Sequence, residues 1–444
     1  MRRLWVSIAL TCLFIGCSDQ ATDSMTTETS EPNGSQAPFK ADEWDRQNDP
    51  ERFVRYLDEE LVYTLSELPL EGEAKKKAWP ASYWPTYQDS TNVRWQGVDT
   101  LSPMEKYDLV YNDWTPSEGF MDLRPRNNGC PTAEFDKEYY DALGPAARWM
   151  SENRGHWRTH DGLDNDNDGN IDECSGNEGI DTWWGLCHAW TPAAILEDEP
   201  LFPVTIDGVT FEISDLKALM ITTYDYSRAM VVGGRCKTSQ VERDENGRIV
   251  DDNCRDTNPG TFHVILTNFL GRLGMGFAED RTYDAQVWNQ PVDSYIVENL
   301  MEISESDAIA LLLEDPSMAS RYPFNDEAKR FAEVVVTVRY VTESYPMSRP
   351  LVDEHSNYLR KDRYHYVLEL DADGKIIGGE WLNGRAESSF GQFSQQPDFL
   401  WLPRGPLPNP SNGPQGMRDP KKNPHVSYSK VRRLFELAQS PDGQ

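Results

Sequence analysis

The second half of the chain contains a series of short β-rich runs, and these constrain the fold more than any other feature. The runs predict strands at residues 262–266, 276–278, 285–288, 332–341, 364–370 and 376–381. The last two are separated by residues 371–374, whose Asp-Gly step favours a hairpin turn. Hairpin-connected strands pair in antiparallel fashion, so this half predicts an antiparallel sheet. One helix, over residues 304–314, interrupts the strands.

The first half indicates helices instead. Residues 51–67 place apolar side chains near helical spacing and predict an amphipathic helix, and residues 139–152 predict another. We therefore expect an α+β fold, with an N-terminal helical part at 43–100 and a β-rich C-terminal part. Residues 43–100 could alternatively form a pro-segment, with the lysine run at 75–77 as its boundary. Residues 406–444 are expected to form a C-terminal tail with a short helix at 428–438.

The N-terminus has the layout of an export signal. Two arginines precede an apolar run at residues 4–15, which is too short to cross a bilayer. Residues 14–17 resemble a lipobox, so we predict a signal peptide at 1–16 and lipidation of Cys17, with simple secretion as the alternative. Residues 17–42 are poor in large apolar side chains and predict a flexible stalk. The expected location is extracytoplasmic, at the outer membrane or cell surface.

The charge of the chain limits its partners. It has 43 Lys and Arg against 74 Asp and Glu, a net charge of −31. Nucleic acids and anionic bilayers repel such a field, so neither is an expected partner. Membrane contact is expected only through the lipid anchor.

The cysteines single out one thiol. After Cys12 leaves with the signal and Cys17 is lipidated, the five that remain are Cys130, Cys174, Cys187, Cys236 and Cys254. Paired cysteines are expected in an oxidising compartment, and an odd one needs a reason. We predict Cys236–Cys254, across a turn-containing segment, and Cys130–Cys174. Cys187 is then left over, although a Cys174–Cys187 bridge remains the alternative.

The neighbourhood of Cys187 is typical of a nucleophilic thiol. Gly185 permits a tight turn, and residues 189–196 contain mostly good helix formers, so a helix should begin close to Cys187. A helix N-terminus favours thiolate over thiol. A buried structural cysteine is the alternative interpretation.

A thiolate nucleophile needs a base and a group that orients the base. His263 is the predicted base. It lies in the apolar run predicted as a strand at 262–266, where burying an imidazole is costly unless the ring has a partner or a function. Asp280 is the predicted orienting carboxylate, with Asp284 and Asn289 as alternatives. His188 is expected to point away from the thiol along the helix.

Residues 161–175 match a calcium-binding loop. Alternating carboxylates and a backbone carbonyl supply the oxygen ligands that Ca²⁺ prefers, and Gly169 allows the sharp bend of the loop, although Ser175 stands where an EF-hand has its bidentate Glu. The predicted ligands are Asp164, Asp166, Asp168, Asn170, Asp172 and Glu173. A solvated acidic loop is the alternative.

Six sequence blocks, in order, resemble one protein family. They are SPMEKYD at 102–108, WGLCHAW at 184–190, FHVILTN at 262–268, VWNQPV at 287–292, IIGGEW at 376–381 and PDFLW at 397–401. The sequence resembles the transglutaminase elicitor family, known from an oomycete cell-wall transglutaminase and bacterial relatives.

The resemblance implies a papain-like catalytic domain at 101–405, with Cys187 as nucleophile and His263 and Asp280 as the other triad members. The implied reaction transfers the acyl group of a protein glutamine to a lysine or another amine. The alternatives are a thiol protease, a glutamine deamidase, or a noncatalytic calcium-stabilised surface protein.

Overall fold

The computed structural model describes residues 47–123, 137–156, 180, 182–235, 257–281, 286–313, 315–382, 396–406 and 422–441. Several predictions lie outside these residues and stay predictions. They concern the signal peptide, Cys17, the stalk, the calcium loop at 161–175, and the bridging cysteines Cys130, Cys174, Cys236 and Cys254.

The described helices are α1 (Glu51–Val54), α2 (Pro103–Tyr111), α3 (Lys137–Ala142), α4 (Pro145–Arg154), α5 (Cys187–Leu196), α6 (Ile213–Tyr224), α7 (Pro259–Leu266), α8 (Glu305–Leu312) and α9 (Tyr428–Leu437). A π-helical segment, Thr267–Leu273, continues α7. None of the described helices is long and apolar enough to cross a membrane.

The described strands are β1 (Glu71–Glu73), β2 (Val204–Ile206), β3 (Val209–Phe211), β4 (Ser227–Gly233), β5 (Ala278–Asp280), β6 (Asn289–Ile303), β7 (Arg330–Val341), β8 (Leu359–Leu370), β9 (Ile376–Trp381) and β10 (Phe399–Pro406). The large sheet has the order β4-β10-β5-β6-β7-β8-β9, and β1 also pairs with β6. Every pairing in it is antiparallel. The mixed helical and antiparallel fold is therefore as predicted.

The β8–β9 hairpin shows why strands in this half could be predicted from the sequence. Its turn ends at Gly374, which has a φ of +83°, a backbone conformation that glycine adopts without strain. Asp371 Oδ1 accepts hydrogen bonds from the backbone N–H groups of Asp373 and Lys375, at 2.9 Å each. The turn residues thus fix the register of the two strands.

Residues 262–266 form a helix, so the strand prediction for this run is wrong. Helix α7 begins with Pro259 in its first turn, and the Asn258 side chain caps it by accepting from the Gly260 N–H at 2.8 Å. The helix is buried on all sides. Periodicity alone cannot distinguish a fully buried helix from a buried strand.

The helix predicted for residues 51–67 is also mostly wrong, since α1 ends at Val54. Farther along, Tyr63 accepts a backbone hydrogen bond from Ile376 at 2.9 Å. Val62 exchanges two hydrogen bonds of 2.9 Å with the side chain of Asn268. These tertiary contacts hold the chain extended where its local pattern favours a helix.

The large sheet separates two hydrophobic clusters, and β10 shows the division most directly. Phe399 and Trp401 belong to the cluster that includes α5 and α6, whereas Leu400 and Leu402 belong to the cluster that includes α7. Alternate strand residues point to opposite faces of a sheet. Helices α5 and α7 therefore cover opposite faces.

The segment before residue 101 is built into the first cluster. Trp79 Nε1 donates to the Glu197 carbonyl, and Trp190 Nε1 donates to the Trp79 carbonyl, both at 3.0 Å. Lys217 Nζ donates to the Pro80 carbonyl at 2.8 Å. The N-terminal part thus shares a core with α5 and α6, while its processing as a pro-segment stays a prediction.

Candidate active site

Helix α5 begins at Cys187, as the sequence predicts. The turn before it is crowded, because a Cβ atom at Gly185 would lie 2.6 Å from the Tyr83 carbonyl oxygen. The same oxygen accepts the Leu186 N–H at 2.6 Å. Glycine is thus required where the chain enters the helix, and the thiol is placed at the positive end of the helix dipole.

The thiol of Cys187 is buried, with 2% of the residue exposed. Its Sγ lies 3.7 Å from the Val287 carbonyl oxygen, and Asn289 Nδ2 lies 3.9 Å from Sγ. Both neighbours come from the VWNQPV block of the sequence. That block therefore forms one wall of the thiol site.

The Asn289 side chain has a fixed orientation. Its Oδ1 accepts the indole N–H of Trp401 at 2.9 Å, and an indole can only donate. The amide N–H group must therefore face the thiol. The Asn289 carbonyl also accepts the hydroxyl of Thr191 on α5 at 3.0 Å, which ties the start of β6 to the helix.

Asp280 ends β5 and pairs with Asn289 in the sheet register. Its Oδ1 accepts the backbone N–H of Trp288 at 2.9 Å. Burial raises the pKa of this carboxyl well above its ordinary value, and the charges of Asp398 and Cys187 raise it further. Asp280 thus lies within electrostatic reach of the thiol, and its surroundings favour the protonated form of the carboxyl.

His188 does not point away from the site, so that expectation is wrong. Its Nε2 is 2.8 Å from Asp225 Oδ1, and Asp225 Oδ2 accepts Arg154 Nε at 2.8 Å. Burial opposes the imidazolium, but the contacts with Asp225 and with the Cys187 side chain raise the pKa of His188. For Asp225, burial is outweighed by Arg154 and His188, which lower its pKa.

His263 has a different setting from the predicted one. Its Nδ1 is 2.7 Å from the Tyr366 hydroxyl in the second hydrophobic cluster. Burial lowers the pKa of His263 to about 3, and no charge from Cys187 contributes. The predicted route from His263 to Asp280 along adjacent strands is wrong, because His263 lies on a helix. Its role as base stays a prediction that none of its described contacts supports.

The structure places Asp280 and Asn289, the predicted orienting group and one of its alternatives, near Cys187, while their catalytic roles stay predictions. Sequence reasoning missed the pair formed by His188 and Asp225. Asp225 caps the C-terminus of α6, a different helix from the one that carries His188. The adjacency of Cys187 and His188 was the available signal. The role of His188 could not be predicted from that adjacency, because its partner Asp225 reaches it only through the packing of α5 on α6.

Comparison with known proteins identifies the family of the chain. The family model described as "Transglutaminase elicitor" matches residues 49–440. The chain belongs to the transglutaminase elicitor family. A comparison with curated protein sequences found no match.

A solved structure similar to this transglutaminase elicitor family member is that of the GP42 transglutaminase from Phytophthora sojae. The two share 28% sequence identity, with a TM-score of 0.62, over 89% of this chain and 99% of the GP42 chain. Among the described residues of this family member, no group of three or more His, Cys, Asp and Glu side chains could hold a metal ion. The predicted calcium loop lies outside those residues.

Proposed function

We propose that the protein is a protein-glutamine γ-glutamyltransferase with Cys187 as its nucleophile. The observation that carries this proposal is the buried thiol at the start of α5, flanked by the Asn289 amide and the Asp280 carboxyl. Family membership and the similarity to a structure named a transglutaminase support the same chemistry.

In the first half of the reaction, Cys187 Sγ attacks the carbonyl carbon of a glutamine γ-carboxamide. The C–N bond breaks, the thiol proton leaves with ammonia, and a thioester remains. In the second half an amine attacks the thioester, the C–S bond breaks, and the thiol is restored. The Asn289 N–H faces this centre and is suited to donate to the oxygen that gains charge.

Asp280 is proposed to act as a protonated carboxyl group beside the thiol. Its raised pKa allows it to donate a hydrogen bond near the site while its other oxygen holds the Trp288 N–H. The arrangement supports the proposed papain-like core, in which a helix-borne thiol packs against an antiparallel sheet. The neighbouring Trp184 and Trp190 are buried and help to keep water from the thioester.

Other features are proposed from the sequence alone. These are lipid anchoring at Cys17, an extracytoplasmic location, the two disulfide bridges, and calcium binding at 161–175. Calcium binding is checked by melting the full chain with calcium and with chelator. A melting temperature that does not change would reject a structural ion.

The function is tested by incubating a glutamine-containing protein and a labelled primary amine with wild type and Cys187→Ala. We expect amine incorporation by wild type and a loss of at least about 10³-fold in the variant, since the nucleophile is removed. Thr205→Ala, on the exposed β2–β3 hairpin, serves as a matched control that should retain activity. Ammonia release without incorporation would indicate a deamidase, and the absence of any Cys187-dependent activity would reject both enzymes.

A further inference from the structure

We propose that His188 is the base that exchanges the proton of Cys187, and that Asp225 and Arg154 position it. This inference rests on the proposed nucleophilic role of Cys187 and adds the residues that manage its proton. It replaces His263 in that role.

The geometry leaves one ring nitrogen of His188 for the thiol. Nε2 is occupied by Asp225 at 2.8 Å, so only Nδ1 remains to exchange a proton. Among the described residues, Nδ1 has no hydrogen-bond partner, although it is buried. The neighbouring Cys187 side chain lies close enough to raise the pKa of the ring. A buried ring nitrogen beside a buried thiol is the arrangement that proton exchange requires.

The charges of the four groups balance in the ion-paired state. Arg154 and His188 then carry positive charges, while Asp225 and Cys187 carry negative ones. All four are at least nine-tenths buried, and buried charges persist only when they are paired. The carboxyls on the sheet side of the site are Asp280 and Asp398. Burial and the charge of Asp398 raise the pKa of Asp280, and the charge of Arg235 opposes this shift.

The reaction then proceeds with a balanced transfer of protons. In the ion-paired state His188 Nδ1 already holds the proton of Cys187 when Sγ attacks the carboxamide, and it delivers that proton to the departing ammonia. The incoming amine loses a proton to Nδ1, which returns it to sulfur when the C–S bond breaks. Asp225 holds the ring through Nε2 and stabilises the imidazolium, as the carboxylate does in other triads.

Titration of His188 in the full chain tests the coupling without any substrate. With ¹⁵N-labelled histidine, the His188 signals are assigned by their loss in His188→Gln and followed against pH in wild type and Cys187→Ala. Removal of a nearby opposite charge should lower the titration midpoint by about 1 unit or more. Asp225→Asn should lower it as well. An identical midpoint in wild type and Cys187→Ala would overturn the proposal.

Amine incorporation supplies the second readout. His188→Gln should reduce kcat by about 10²- to 10⁴-fold, whereas the exposed-site control Thr205→Ala should leave activity near wild type. His263→Gln, which also replaces a buried imidazole, should lower kcat by much less than His188→Gln does. Asp225→Glu should restore part of the activity and pH profile lost in Asp225→Asn. The opposite result, activity kept in His188→Gln and lost in His263→Gln, would assign the base to His263.

The two proposals fail in distinguishable ways. If the wild type incorporates no amine but its His188 titration depends on Cys187, the proton relay stands and the transferase assignment is wrong. If amine incorporation depends on Cys187 but the titration does not, the transferase assignment stands and the relay is wrong. Thermal melting of each variant checks folding, and His188→Asn supplies the signal assignment should His188→Gln fail to fold.

Discussion

Two histidines on opposite faces of the same sheet have opposite electrostatic settings. His188 and His263 are each 2% exposed, and each lies on a short buried helix. The pKa of His188 is raised, whereas burial lowers that of His263 to about 3. The comparison teaches that burial by itself makes an imidazole neutral, and that a carboxylate partner reverses the outcome.

The surroundings explain the difference. On the α5 face, His188 contacts Asp225, which in turn binds Arg154. On the α7 face, the residue before His263 is Phe262, whose ring packs against Tyr364 at 5.3 Å and Trp381 at 5.4 Å between centroids. One face is therefore suited to moving a proton, and the other to packing.

The largest expected effect comes from removing the carboxylate that distinguishes the two faces. Asp225→Ala leaves Arg154 and His188 buried without their partner, which should lower the free energy of unfolding by about 3–5 kcal/mol. Denaturant-induced unfolding measures this loss. Asp225→Asn keeps the shape and should cost less, so equal losses in the two variants would show that packing, not charge, stabilises this face.

A smaller effect is expected on the α7 face from Tyr366→Phe. This change removes the hydroxyl that is hydrogen-bonded to His263 Nδ1 and should lower the free energy of unfolding by about 1–3 kcal/mol. Tyr364→Phe is the matched control, because the buried Tyr364 hydroxyl has no partner among the described residues. Its removal should be neutral or stabilising. A similar loss in both variants would contradict a specific role for the His263 hydrogen bond.

The pH dependence of stability should have opposite signs for the two histidines. The pKa of His263 is lowered on folding, so its contribution is complete above the unfolded value near 6.5 and decreases by about 1.4 kcal/mol per unit as pH falls toward 3. The pKa of His188 is raised, so its contribution is complete below about 6.5 and is lost as pH rises.

Unfolding free energies between pH 4 and 9 check these signs. His263→Gln should flatten the acid side of the profile, and His188→Gln the alkaline side. If both variants changed the same side, the contrast between the two settings would be refuted.

Local chemistry made part of this fold predictable. The strands β7, β8 and β9 lie close to their predicted positions because alternation and a glycine turn specify them. The start of α5 was predictable because Gly185 and the helix formers that follow are local signals. The thiol of Cys187 could therefore be placed from sequence before any contact was known.

What failed depended on contacts between distant segments. The apolar run around His263 forms a helix, because its cap at Asn258 competes with its strand-like composition. Residues 57–64 are not helical because their backbone is hydrogen-bonded to the Asn268 side chain and to the first residue of β9. The orientation of His188 required Asp225 from a neighbouring helix. The spacing of residues along the chain does not predict these contacts.

The contact between Tyr83 and the turn before α5 has a consequence for dividing the chain. Tyr83 accepts the Leu186 N–H, and the Thr86 N–H donates to the Trp184 carbonyl at 2.9 Å. The entrance to the thiol helix is thus held from both sides by a stretch some hundred residues upstream. A shortened protein beginning at residue 101 would keep every proposed reacting group. It would lose the two backbone hydrogen bonds, with Tyr83 and Thr86, that hold the turn before the thiol.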